Sequence, residues 1–338
     1  MALNILYFLI GLVLASLTLR DVFDTVVVPG GSRASLRIAH RLIFVLLPIW
    51  KAVRGRRRGL STTFAPFVLV SCFVVWMGLL AIGFGLMAYA LRAEFQPPLK
   101  GFGDAVYLCG SSLVTVGLSH TSPEGLGRWV ILGAGFCGLA VMTMAVTYLL
   151  EVQSSIARRD TGIIKLNTAA GDPPSALSLL ERFAAIDNRK AFPDVLEEGR
   201  NWSATVRQSH SSHPSLIYFQ SVGTGAGWPA ALGTLLDLAL IFELLIDDRD
   251  LFGPALLLRE EGTRMARELA MVISLKPLDR SPSEAEIREL AKRLPGSGYR
   301  VRDNPDFAKM ADCRAQYQSC VDAIAEHLGK PTAVLIRQ

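Results

Sequence analysis

The chain has 338 residues, of which 51% are hydrophobic and 19% charged, and a formal net charge of +5. With a mean hydropathy of +0.35 it is too apolar for an ordinary soluble domain. The basic excess lacks the large surface and the groove-reading or aromatic elements that nucleic-acid binding requires.

The apolar residues are clustered in the first half, whereas 153–338 has the mixture of a globular domain, so a boundary is expected near Gln153. Residues 3–19 form the first run without charge, long enough to span a bilayer. They lack a basic leader and a small-residue cleavage site, and they read as a retained membrane helix. Arg20, Asp21 and Asp24 mark its exit from hydrocarbon, and Pro29-Gly30-Gly31 ends it. Residues 38–52 carry a short apolar stretch with Pro48 and basic flanks. They read as an interfacial amphipathic helix rather than a second span. The basic cluster "KAVRGRRRG" at 51–59 then lies on the cytoplasmic side, which implies an external N-terminus.

Residues 64–91 are a clear span, with Gly78, Gly83 and Gly85 small enough for close helix contact. Arg92 and Glu94 mark its outer end, and Pro97-Pro98 stops it. Residues 129–150 form the next span, ending at Glu151 and the basic "ARRD" of 157–160. Between them, 105–114 is apolar but too short to span. It reads as a re-entrant helix, with Asp104 near its start. The polar stretch "TVGLSHTSPEG" follows. Irregular backbone at membrane depth is tolerated only where protein buries it or where it lines a water-filled path. Span, re-entrant helix, polar loop and span together point to a pore.

Residues 63–153 resemble the pore domain of tetrameric potassium channels. The family's filter is a Thr-Val-Gly-Tyr-Gly loop whose backbone carbonyls replace the ion's water shell. Here Thr115, Val116 and Gly117 match the first three positions, Leu118 replaces the aromatic, Ser119 replaces the second glycine, and His120 stands where an acid commonly follows. The resemblance implies a homotetramer, since each chain supplies a quarter of a carbonyl ring. It implies carbonyls from Val116, Gly117 and Leu118 above an inner site at Thr115. It also implies a hinge at Gly138 and a cavity lined by Leu139, Met142 and Val146. The substitutions imply weakened potassium selectivity. Ser119 would bear a positive-φ cost of about 1 kcal/mol, and His120 brings a group that can titrate near neutral pH.

Residues 154–338 read as helices. Pro193 starts one, "SPSE" at 281–284 is a capping box, and Asn304-Pro305 opens the last. Residues 228–246 nearly suffice to span, but Asp237 and Glu243 favour a buried bundle helix. "GTGAG" at 223–227 lacks a preceding strand and reads as a linker or helix start rather than a nucleotide loop. Cys72, Cys109 and Cys137 lie in apolar segments. Cys313 and Cys320 share a helix face too far apart for a disulfide. His210 and His213, without an acid or cysteine at ligand spacing, read as packing or capping groups.

The expected architecture is therefore all-α. It comprises an N-terminal membrane and interfacial helix (1–62), a pore domain (63–153) and a cytoplasmic helical domain (154–338). The expected function is a multi-pass cell-membrane channel for monovalent cations, potassium first. It needs no enzyme chemistry, cofactor, resident metal or nucleic acid, and its partners are lipid and further copies of itself. The alternative is a non-conducting membrane sensor or anchor whose cytoplasmic domain binds a partner or ligand.

Overall fold

The structure, a computed structural model, describes residues 1–28, 38, 41–42, 45–48, 50, 64–221, 225–278 and 284–336. The expected interfacial helix at 38–52 is described only at 38, 41–42, 45–48 and 50, and the basic cluster at 51–59 lies wholly outside these. So do Pro29-Gly30-Gly31, Gly223 and Thr224 of the glycine cluster, and Ser281 and Pro282 of the capping box. The chain forms two compact units, Met1–Val152 and Gln153–Gln338. Among the described residues it is all-α apart from a two-stranded ribbon and isolated bridges.

In the first unit, α1 is Ala2–Val26 and α2 is Phe64–Ala90. At 1.5 Å per residue each exceeds the ~30 Å hydrocarbon core. Much of their apolar surface is exposed, as lipid-facing helices require. They pack closely because glycines meet: a Cβ at Gly11 would lie 2.4 Å from the Gly83 carbonyl oxygen. Gly85 likewise faces Val106, whereas Gly78 has nothing within 4 Å and serves no helix contact among the described residues.

Asp21 faces protein rather than water. α1 continues to Val26, and Asp21 is fully buried, accepting from Trp76 Nε1 of α2 at 2.9 Å and from the Ile38 amide at 3.3 Å. A tryptophan N–H from another helix is a partner that hydropathy cannot reveal.

After a 3₁₀ turn at Arg92–Glu94, β1 (Phe95–Gln96) pairs antiparallel with β2 (Ser122–Pro123). Between the strands lies α3, Phe102–Leu113. Helix α4, Gly127–Ala170, starts where the Gly127 amide donates to Glu94 Oε2 at 3.0 Å, an acid at the positive end of a helix. Its residues up to Val152 belong to the first unit and the rest to the second.

The second unit continues with α5 (Ala176–Ala185), α6 (Phe192–Ser212), α7 (Gly227–Leu244), α8 (Arg249–Val272), α9 (Glu284–Arg293) and α10 (Phe307–Leu328). Helix α7 is long and apolar enough to cross a membrane, yet 94% of its apolar window is buried within the protein. Its Asp237 explains the choice. Both carboxylate oxygens take Arg314, at 2.9 and 3.2 Å, and Oδ1 also accepts from Tyr317 at 2.6 Å. A buried charge so paired is tolerable in a protein core. Burial beside Asp237 pushes the Tyr317 hydroxyl well above its ordinary range. Gly225 and Ala226 donate to the Asp172 carboxylate, so the described end of the glycine cluster is a helix start. Helix α10 is capped by Asp306 rather than opened by Asn304-Pro305, with Lys309 N donating to its carboxylate at 2.9 Å.

Arg159 also departs from expectation. Within the sequence it belongs to a basic flank, but in the second unit it is fully buried. Its guanidinium donates to Asp160, His210 Nε2, the carbonyls of Leu216 and Phe219, and Ser221 Oγ. It thus ties α4 to α6 and to the segment leading to α7. Since Arg159 can only donate, Nε2 of His210 accepts, and its proton sits on Nδ1, facing Ser209 Oγ at 3.1 Å. Burial and the Arg159 charge hold His210 well below its ordinary pKa.

Candidate ion pathway

Helix α3 is an amphipathic piece of 12 residues. Its inner face, Ala105, Leu108, Cys109 and Leu113, is buried in the core of the first unit. Twelve residues rise about 18 Å, too little to span a bilayer. The turn begins at Val114, and residues 114–120 are all exposed within a single chain.

The loop is held from one place, the end of α3. The Ser111 carbonyl accepts from the amides of both Val116, at 2.9 Å, and Gly117, at 3.1 Å. Ser111 Oγ lies 2.9 Å from the Leu108 carbonyl and 3.1 Å from the Leu118 carbonyl. Its single proton is shared between them. With the amides of 116 and 117 turned inward, the carbonyls of Thr115, Val116 and Gly117 receive no hydrogen bond from the described residues. A peptide carbonyl left without a donor is free to meet water or a cation.

Two residues bend the loop, Thr115 at φ 60° and Gly117 at φ 66°. Glycine accepts this conformation freely, whereas a β-branched residue there is an outlier that costs roughly 1–2 kcal/mol. The strain expected at Ser119 is therefore located at Thr115 instead. Ser119 makes a side-chain turn, its Oγ accepting from the Thr121 amide at 2.9 Å. Leu118, lacking a hydroxyl, is braced through its carbonyl by Ser111. The polar residue inside the apolar α3 run was the signal for this brace, and its role was not read from it. His120 is exposed beyond the turn.

On α4, Leu139, Met142 and Val146 are exposed at 56%, 44% and 60%. They share one helical face, free in a single chain for a cavity, lipid or a neighbouring copy. Gly138 has a packing reason: a Cβ there would lie 2.0 Å from the Leu113 carbonyl oxygen and 2.6 Å from its Cα. Only glycine lets α4 lie against the end of α3. Thr115 to His120 thus follow α3, Gly138 packs against Leu113 at its end, and Leu139, Met142 and Val146 lie further along α4.

Residues 67–154 match the sequence profile of a family described as ion channel, the two-span potassium-channel-like pore. Among the described residues several helices are long and apolar enough to cross a membrane. Together these point to a multi-pass membrane protein in which residues 67–154 are similar to an ion-channel pore. It is similar to Protein LctB of Geobacillus stearothermophilus, 30% identical over 86 residues, 22% of this chain. The chain spans 64% of that relative's length. No solved structure matches.

Proposed function

We propose that four copies assemble around an axis through the Thr115–Ser119 loops and pass monovalent cations, potassium in preference to sodium by a small margin. The carrying observation is the run of three carbonyls at 115–117 without donors among the described residues, on an exposed loop bent by two positive-φ residues. Rings of such oxygens suit a dehydrated hard cation. Thr115 supplies the inner oxygens, and Val116 and Gly117 the ring above. Leu118 contributes less, because its carbonyl is shared with Ser111. Leu139, Met142 and Val146 face an inner cavity, Gly138 allows α4 to approach α3, and His120 stands at the outer mouth. The domain after 153 is cytoplasmic in this reading and adjusts the pore.

Proteoliposomes test it. Purified protein should release loaded potassium down its gradient, with slower sodium release, and native mass spectrometry in detergent should give a tetramer. A monomer or dimer that releases neither ion would refute the assignment.

A further inference from the structure

In the second unit, the C-terminal part of α4 and helices α5, α6 and α7 leave an apolar cavity of about 100 Å³. Its floor is Leu166, Leu179, Phe183, Val195 and Leu235. Lys165 of α4 and Glu198 of α6 stand in its wall, joined as an ion pair. Against it lies a second hollow of about 330 Å³, which shares Gly162, Glu198 and Trp202 and adds Arg158, Thr161, Asn201 and Thr205.

The partition between the two is fixed. Trp202 Nε1 donates to the Arg159 carbonyl at 2.9 Å. Its ring lies against Gly162, where a Cβ would come within 2.2 Å of Cδ1. A tryptophan held by a hydrogen bond and seated on a glycine makes a rigid wall rather than a mobile filler. The result is an apolar lobe with a second hollow beside it, Lys165 in the wall of the first and Glu198 shared by both.

We propose that this paired hollow binds a small aliphatic α-amino acid as its zwitterion. The side chain enters the apolar lobe, the ammonium meets Glu198 and the carboxylate meets Lys165. Size supports this: an apolar cavity of about 150 Å³ holds benzene, so the lobe here takes something smaller, such as an isopropyl or isobutyl group. Charge supports it too. An anion alone would take Lys165 from Glu198 and leave the acid without its partner, and a cation alone would do the reverse. A zwitterion replaces one ion pair with two. Lys165 and Glu198 are 61% and 60% exposed, and exposed pairs contribute little, so opening theirs is easy. An apolar pocket with a few convergent polar groups is the usual form of a small-molecule site. The site does not depend on whether the chain conducts.

Isothermal titration of full-length protein in detergent with L-leucine tests the proposal. Saturable one-site binding is expected. It should weaken at least tenfold with 4-methylpentanoate or 3-methylbutylamine, which keep the chain but lose one charge each. Lys165→Met and Glu198→Gln, both at exposed positions, should each weaken leucine binding at least tenfold. Ala231→Leu, which fills the apolar lobe, should abolish it. If that variant fails to fold, the two charge variants still decide. Absence of saturable leucine binding, equal binding of the carboxylate alone, or full binding by both charge variants overturns the proposal.

Discussion

Replacing Gly138 by alanine puts one methyl group where α4 meets the end of α3. The added Cβ would sit 2.0 Å from the Leu113 carbonyl oxygen, whereas real Cβ contacts essentially never fall under 3.0 Å. The two helices must therefore separate by about 1 Å, and the obstacle is backbone, which no rotamer change relieves. Overpacking of this kind costs about 1–3 kcal/mol, and a contact against backbone belongs at the upper end. Alanine's better helix propensity returns about 0.5–1 kcal/mol. The net loss is about 2 kcal/mol, or roughly 4–8 °C in melting temperature for a unit of this size. Gly78→Ala is the matched control, since nothing lies within 4 Å of its added Cβ. It should be neutral or slightly stabilising. Thermal melts of both variants in one detergent, followed by size-exclusion, make the comparison. If Gly138→Ala melts with Gly78→Ala and the parent, the contact with Leu113 does not decide how α4 sits.

Arg159→Lys should destabilise the full-length protein by about 3–5 kcal/mol, because an ammonium cannot replace the planar fork that serves Asp160, His210, two carbonyls and Ser221. A denaturant titration followed by tryptophan fluorescence checks this. His210 is held neutral in the fold, so its folded pKa lies below the unfolded value of about 6.5. Its contribution is present above pH ~6.5 and is lost as pH falls below it, at up to about 1.4 kcal/mol per pH unit, because the unfolded chain gains the proton. Melting temperatures between pH 5 and 7.5 should fall on the acid side, and His210→Gln should flatten that slope. Ser111→Ala removes the hydroxyl from the Leu118 carbonyl and should change relative potassium and sodium flux while leaving assembly unchanged.

The membrane half was legible where hydrocarbon imposes a simple rule. The uncharged runs that become α1, α2 and the first part of α4 could be read by length alone, and α3 by being too short. What could not be read was the fate of single charges. Asp21 reads as a solvent-facing acid until Trp76, 55 positions away, donates to it. Arg159 looks like a membrane-edge cation until five acceptors, most of them over 50 residues away in sequence, surround it. The apolar stretch in α7 was separated from a span by its acids, and Arg314 supplies the reason. The loop at 115–119 could be located from its letters, but its backbone could not. Which residue bears positive φ depends on Ser111 gathering two amides, a contact that spacing does not predict. The Trp202 wall needed Gly162 beneath it, and neither residue carries a motif.

The central claim is that cations pass the carbonyls of Thr115–Gly117. Reversal potentials in planar bilayers under one potassium–sodium gradient test it most directly. Three proteins are compared: the parent, Thr115→Ala, and the double variant Leu118→Tyr with Ser119→Gly. The parent should reverse at a weakly potassium-selective potential. Thr115→Ala, which deletes the inner hydroxyl ring, should move toward zero. The double variant restores the family's outer filter residues and should move toward the potassium equilibrium potential. Identical reversal potentials for all three would contradict the claim, because ion flow would then bypass this loop.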